Sequence, residues 1–272
     1  MSFTRFALVT ALTFTATLAT AHEFWLDPEK YQVDIGAPVI ANLRNGQEFE
    51  GISLAYFPNR FTRFDIAIGD LMGPVPGRLG DQPALRMGLP GEGLAIAVYE
   101  ATPSIVTYTE WDKFVDFAAH KDFPDAVADH EAAGYSKEKF TERYTRHVKT
   151  LVAVGAGAGQ DRAFGLETEF VALTNPYTPG FDGQMRVALT YEGAPRADAQ
   201  IEVFDRAPDD SVTITTTRTD ARGEATIAVA PGHDYLFDAV VLRPAPDAGA
   251  AAEGPVWETL WAALTFAVPS SR

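Results

Sequence analysis

The chain has 272 residues, 22 of them basic and 37 acidic, for a formal net charge of −15, and it contains no cysteine. So acidic a surface is a poor match for nucleic acid or anionic lipid. The absence of thiols excludes disulfides, cysteine-ligated zinc, iron–sulfur clusters and type 1 copper centres.

Arg5, the apolar and threonine-rich run Phe6 to Leu18, and Ala19-Thr20-Ala21 form the three-part pattern of a secretory signal peptide over 1–21. The run is shorter than the roughly 20 residues a membrane-spanning helix needs, and threonines interrupt it. Cleavage after Ala21 places small residues at both positions that need them and makes His22 the first residue of an exported, periplasmic protein. Its amine and imidazole would then close a chelate on one metal ion, a histidine brace suited to copper, nickel or zinc. Cleavage after Ala19 would instead start Thr20-Ala21-His22, whose amine, amides and imidazole wrap Cu(II) or Ni(II) in a square plane. Cleavage after Thr20 would require Leu18 at a small-residue position.

From Tyr31 to Tyr108 short β-rich runs at Val33–Ile35, Val39–Leu43, Phe64–Ile68 and Leu94–Tyr99 are separated by glycine and proline clusters. This is all-β organisation without crossover helices. The segment 109–150 breaks the pattern and reads as a helical insertion. One helix is expected to be capped by Thr109, with Asp112 at its third position and Trp111, Phe114, Val115 and Ala118 on its apolar stripe. A second is expected after Ser136, with Phe140, Tyr144, His147, Val148 and Leu151 on one face. Three of the five histidines, His120, His130 and His147, fall in this insertion.

Leu151–Val154 returns to strand, and Gly155-Ala156-Gly157-Ala158-Gly159 follows. No helical pattern comes after it and the third glycine is one residue early for a dinucleotide loop, so 156–165 reads as a flexible linker. About seven strand-like runs follow, at Phe170–Leu173, Gln184–Tyr191, Ala199–Phe204, Val212–Arg218, Ala225–Val229, Tyr235–Leu242 and Leu260–Val268, a pattern typical of a β-sandwich. Thr219-Asp220-Ala221-Arg222-Gly223 reads as a hairpin connection, and Pro244–Pro255 as a mobile loop. The expected fold is therefore mainly β, with two sandwich-like domains at 22–155 and 166–272.

Four stretches, His22-Glu23-Phe24-Trp25-Leu26, Tyr144-Thr145-Arg146-His147-Val148-Lys149-Thr150-Leu151, Thr219 to Gly223, and Trp257-Glu258-Thr259-Leu260-Trp261-Ala262-Ala263-Leu264-Thr265-Phe266, resemble the domain of unknown function 4198 family. That family is often described as periplasmic components of nickel or cobalt uptake. The resemblance implies a metal-associated periplasmic role and a carboxypeptidase-regulatory or transthyretin-like C-terminal sandwich, and its early histidine and tryptophan map onto His22 and Trp25. Related nickel-uptake subunits carry a histidine at the second mature position, so a start at His22 departs from them and tilts the brace toward copper. The family often has another residue type at position 147.

A brace supplies two ligands and a stable site needs a third. His147 ranks first and His120 second as partners of His22. His147 on an apolar stripe also fits a packed core residue, His120 and His130 fall on polar stretches, and His233 reads as a turn residue. Trp25, Trp257 and Trp261 fit either a sugar-binding surface or core. No Gly-x-Ser-x-Gly or His-Glu-x-x-His motif occurs. These observations favour binding over catalysis: a divalent metal ion (copper, nickel or cobalt) held for uptake or delivery, with a membrane transporter as partner, no nucleic acid partner, and no membrane span once the leader is removed. The alternatives are a copper-dependent oxidative enzyme at the same brace, and a metal-free carbohydrate-binding or adhesion sandwich.

Overall fold

The computed structural model describes residues 22–248 and 254–270, so the expected leader and part of the Pro244–Pro255 loop lie outside the described residues. The first half contains β1 (Glu23–Pro28), β2 (Gln32–Val33), β3 (Pro38–Gln47), β4 (Glu50–Leu54), β5 (Phe61–Ile68), β6 (Leu71–Pro74), β7 (Leu85–Gly88), β8 (Gly93–Ala101) and β9 (Ser104–Tyr108). Two short helices follow, α1 (Trp111–His120) and α2 (Ala126–Ala132), and then the long strand β10 (Phe140–Val154). The remainder is β11 (Thr168–Ala172), β12 (Gln184–Tyr191), β13 (Ala194–Pro195), β14 (Gln200–Arg206), β15 (Val212–Arg218), β16 (Glu224–Ala228), β17 (Asp234–Pro244) and β18 (Pro255–Ala267). The mainly β expectation is met.

A ten-stranded sheet in the order β15-β14-β17-β18-β10-β8-β5-β6, with β2 and β9 also paired to β10, forms the middle of the molecule. Strands from both sides of residues 156–165 share it, joined where β10 runs parallel to β18. A four-stranded sheet of β1, β3, β4 and β7 covers one face, and a four-stranded sheet of β11, β12, β13 and β16 packs against the other. Alternation along β8 shows the middle layer plainly. Leu94, Ile96 and Val98 enter the core shared with Met185, Val187 and Leu264, while Ala95, Ala97 and Tyr99 enter the core shared with Trp25, Leu26 and Leu85. A strand buried on both faces reads as a continuous apolar run, as Leu94–Tyr99 and Leu260–Phe266 do.

The second expected helix is not a helix. Phe140 to Val154 is one fifteen-residue strand, paired to β18 from Thr141 to Thr150, to β2 at Ala153 and Val154, and to β9 and then β8 on its other edge. The spacing of Phe140, Tyr144, His147, Val148 and Leu151 imitates a helical stripe because both faces of the strand are buried, which erases the period of two. The β-branched Thr141, Thr145, Val148, Thr150 and Val152 are what favour the extended chain.

The first helix is present; of its expected stripe Phe114 and Ala118 are buried and Trp111 and Val115 half-buried. Phe117 is buried beside them, and Glu110, not Thr109, is the N-cap and makes no side-chain capping bond. A third cluster joins these side chains to Tyr108, Phe140, Val240, Trp257 and Trp261, so the helices cover a corner of the middle sheet.

Two connections differ from expectation. The Thr219–Gly223 turn leads from β15 in the ten-stranded sheet to β16 in a different sheet, so it changes layers instead of closing a hairpin. Asp220 still organises it, its Oδ1 accepting the Arg222 and Glu224 amides at 2.8 and 3.0 Å. Residues 155–159 are pinned: Leu94 N–H donates to Ala158 O, and Asn175 Nδ2 donates to Gly157 O and Gly159 O.

Candidate functional site

The charged residues that stand out lie on the face of the middle sheet that looks toward β1 and α1. Ile201-Glu202-Val203-Phe204 on β14 and Phe237-Asp238-Ala239 on β17 each set one acid inside an apolar run, and their register places Glu202 beside Asp238. On the next two strands, Trp261 of β18 is paired with Arg146 of β10. The apolar side of α1 packs on this corner, with Phe117 and Trp261 centroids 6.0 Å apart, so the helix end delivers His120 and Lys121 to the acids. Gln200 Nε2 holds that end by donating to His120 O at 2.9 Å.

Lys121 is the hub. Its Nζ donates to Glu23 Oε1 and Asp238 Oδ2, both at 3.2 Å, and to Glu202 Oε2. It lies 4.7 Å from the Trp261 ring centroid, and the Arg146 guanidinium stacks on the same ring at 3.9 Å. All five charged groups are buried. The carboxylates of Glu23, Glu202 and Asp238 offer oxygens within 4.8 Å of one another, and among the described residues they are the acids and histidines whose spacing would suit one ion.

Burial pushes the Asp238 carboxyl up to about 7, with Lys121 opposing the shift and Glu23 and Glu202 adding to it. Burial also works against the Glu202 carboxylate, but hydrogen bonds and charge from His120 and Lys121 outweigh it and hold that group below its ordinary range. The His120 imidazole is raised by its hydrogen bond to Glu202. Arg146 Nη2 donates to the His22 carbonyl, while its Nε and Nη1, like Asp238 Oδ1, have no partner.

The histidines divide into two groups. His22 is exposed, immediately ahead of Glu23, and its carbonyl is held by Arg146. His120 carries a 64% exposed side chain whose Nε2 lies 2.6 Å from Glu202 Oε1. The cluster therefore joins the two, although their ring nitrogens do not form a ligand group by themselves.

His147, ranked first from sequence, is not brought to them. It alternates with Arg146 on β10 and so shares the face of Lys149 and Leu151, on the opposite side of the sheet from the cluster. Buried there, it bonds the Trp261 backbone, leaves Nδ1 unpartnered, and is pulled down to about 4 by burial. His130, expected in solvent, is fully buried in the aromatic corner, where Nδ1 accepts from Trp257 Nε1 at 3.0 Å. His233 sits after the Pro231-Gly232 turn, bonded to Asp205 at 2.6 Å. Trp25, Trp257 and Trp261 are core, so they form no flat aromatic platform.

The sequence reading named His120 and passed over Glu23, Lys121, Arg146, Glu202 and Asp238. The usable signal was a charge at an inward strand position, in Ile201-Glu202-Val203 and Phe237-Asp238-Ala239. A third buried strand acid is Glu142, next to the cluster: it accepts from Tyr108 and Thr259 hydroxyls, and burial pushes it up to about 7.

A family model described as Domain of unknown function (DUF4198) matches residues 19–243. No curated protein matches the chain. Among solved structures the chain is similar to the Yersinia pseudotuberculosis adhesin InvE, at 12% identity over 89% of this chain and 58% of that one, with a TM-score of 0.18. It is also similar to a tetra-tandem repeat in the extending region of a large adhesion protein, at 10% identity over 91% of this chain and 50% of that one, with a TM-score of 0.19. The chain spans less than two thirds of either structure.

Proposed function

The chain belongs to the DUF4198 family, and from that premise we propose that it is an exported, periplasmic protein that binds a transition-metal ion through an amino terminus created at His22, for uptake or delivery of the metal to a membrane transporter. The observation that carries this reading is the position of His22 and His120 on one buried ion cluster, through Arg146 and Glu23 on one side and Glu202 on the other. The amine and imidazole of His22 would supply two nitrogens and His120 a third ligand. Bound there, the metal is itself the cargo.

The donor set favours one class of metal. The Lys121 ammonium already bonds Glu23, Glu202 and Asp238 and sits where a hard, oxygen-seeking cation would have to lie. What remains at the rim is nitrogen, which copper and nickel prefer, and a start at His22 favours copper. The rest of the cluster acts as outer support: Arg146 fixes the His22 carbonyl, and Lys121 fixes Glu23 at the start of β1, so the first residue leaves a rigid strand.

The test is amino-terminal sequencing of the exported protein, followed by calorimetric titration with copper, nickel and cobalt salts. The reading predicts one tight copper site on a chain starting at His22 and a loss of about 10-fold or more in affinity for His120→Ala. A mature chain that starts elsewhere, or binding indifferent to both His22 and His120, refutes it.

A further inference from the structure

On the far side of the middle sheet a second buried cluster has no part in that reading. Lys149 of β10 points between Asp161, in the segment after β10, and Glu169 of β11. Its Nζ lies 2.8 Å from Asp161 Oδ2 and 3.2 Å from Glu169 Oε1, and the three side chains are 1%, 0% and 1% exposed. The Phe164 ring closes the site 5.0 Å from Nζ. We propose that Lys149 and Asp161 condense to an intramolecular amide, a side-chain cross-link made by the folded chain itself, with Glu169 relaying the proton.

The chemistry balances without an oxidant or cofactor. Nζ, having passed one proton to Asp161, attacks the Asp161 carboxyl carbon; a carbon–nitrogen bond forms and the carbonyl becomes a tetrahedral oxyanion. Glu169 takes a proton from the attacking nitrogen and returns it to the departing hydroxyl. The carbon–oxygen bond breaks, one water leaves, and the amide remains with Glu169 again a carboxylate.

Each requirement has a residue. Burial pushes the Asp161 carboxyl above its ordinary range, toward the neutral form that a nucleophile can attack. The Arg162 amide, 2.8 Å from Asp161 Oδ1, faces the developing oxyanion, and the Ala172 amide, 2.8 Å from Oδ2, bonds the departing oxygen. The lysine is not the sole partner of Glu169. The amides of Phe164, Gly165 and Leu166 all donate to it, at 2.7 to 3.2 Å, so it stays satisfied once the ammonium is consumed.

The Arg162 and Phe170 carbonyls, each 2.9 Å from Nζ, aim the nitrogen and leave an acceptor for the amide N–H that results. Condensation also removes one positive and one negative charge from a dry interior, where an ion pair is costly to keep. In a chain without cysteine it would tie the central strand to the segment that leads into the β11 sheet.

The test is the intact mass of the purified full chain under denaturing conditions, with peptide mapping of the same sample. The proposal predicts a mass one water below that of the sequence, a tryptic product joining the peptides that hold Lys149 and Asp161, and full mass for Lys149→Arg and Asp161→Ala. Glu169→Gln should retain most of the water while still folding, as judged by circular dichroism. A wild-type chain at full sequence mass overturns the proposal and leaves an ion pair only, as does a lost water that maps to other residues. The readout is independent of metal binding, because a failed amino-terminal site leaves this mass unchanged.

Discussion

Lys121→Met removes the one cation that touches all three buried acids. At an effective dielectric constant of about 20, each 3.2 Å contact between unit charges amounts to roughly 5 kcal/mol of gross attraction, most of it offset by desolvation. Loss of one partner from such a site typically costs about 3–5 kcal/mol, because charge is left buried and uncompensated. Two groups relieve the variant. Arg146 remains on the same face, and Asp238, already pushed up to about 7, takes a proton readily. The expected loss is therefore at the lower end, about 3 kcal/mol at pH 7.

The sign with pH follows from Asp238, whose carboxyl is raised by burial. Groups whose folded pKa lies above the unfolded value stabilise least at high pH and regain stability as pH falls through the folded value. The deficit of Lys121→Met should thus shrink between pH 7 and pH 5, and adding Asp238→Asn should recover part of it at pH 7. Urea unfolding of the wild type and both variants at the two pH values measures this. A loss under about 1 kcal/mol at pH 7, or one that grows on acidification, would refute the assignment of Lys121 as the neutralising hub.

Two buried groups predict opposing pH slopes. His147 is pulled down to about 4, so the unfolded chain takes up the proton first and roughly 3 kcal/mol is lost as pH falls from 6.5 through 4. Glu142 is pushed up to about 7, so its contribution is complete below 4.5 and falls by a similar amount, roughly 3 kcal/mol, as pH rises through 7. Urea titrations at several pH values should show His147→Leu with a smaller loss toward low pH and Glu142→Gln with a smaller loss toward high pH, Asp238 keeping part of the latter; unchanged slopes would contradict the burial of these groups. Gly223 has φ +72°, and a Cβ there would meet Arg196 N and Leu189 O at 2.8 Å, both backbone atoms. Gly223→Ala should cost about 2 kcal/mol or more by thermal unfolding, and a neutral result would show that the layer-changing turn relaxes.

Much of the β framework was legible in the chain. Val39–Leu43, Phe64–Ile68, Leu94–Tyr99, Gln184–Tyr191 and, but for Val268, Leu260–Val268 fall in strands, because β-branched and aromatic runs between turn residues have few other uses. Phe140–Leu151 was misread for a physical reason: a strand buried on two faces has no polar side to mark its period. Layer membership was also hidden, since the parallel contact of β10 with β18 joins residues more than a hundred positions apart.

At the site, His22 and His120 were visible as residue types. The link between them runs through Glu23, Lys121, Glu202 and Asp238, whose meeting depends on the packing of β1 and α1 against β14 and β17. His147 was ranked first although its apolar stripe also fits a packed core residue, and it is buried on the opposite face of the sheet from the other two.

The most direct test of the metal-binding account compares two exported proteins, one that begins at His22 and one that carries a single extra alanine before it. Copper affinity by calorimetry, with the copper electron paramagnetic resonance spectrum recorded alongside, is the measurement. The account predicts tight, nitrogen-rich copper binding for the first and a loss of at least about 100-fold for the second, whose terminal amine has been displaced from the chelate. Equal affinity and an unchanged spectrum would contradict it.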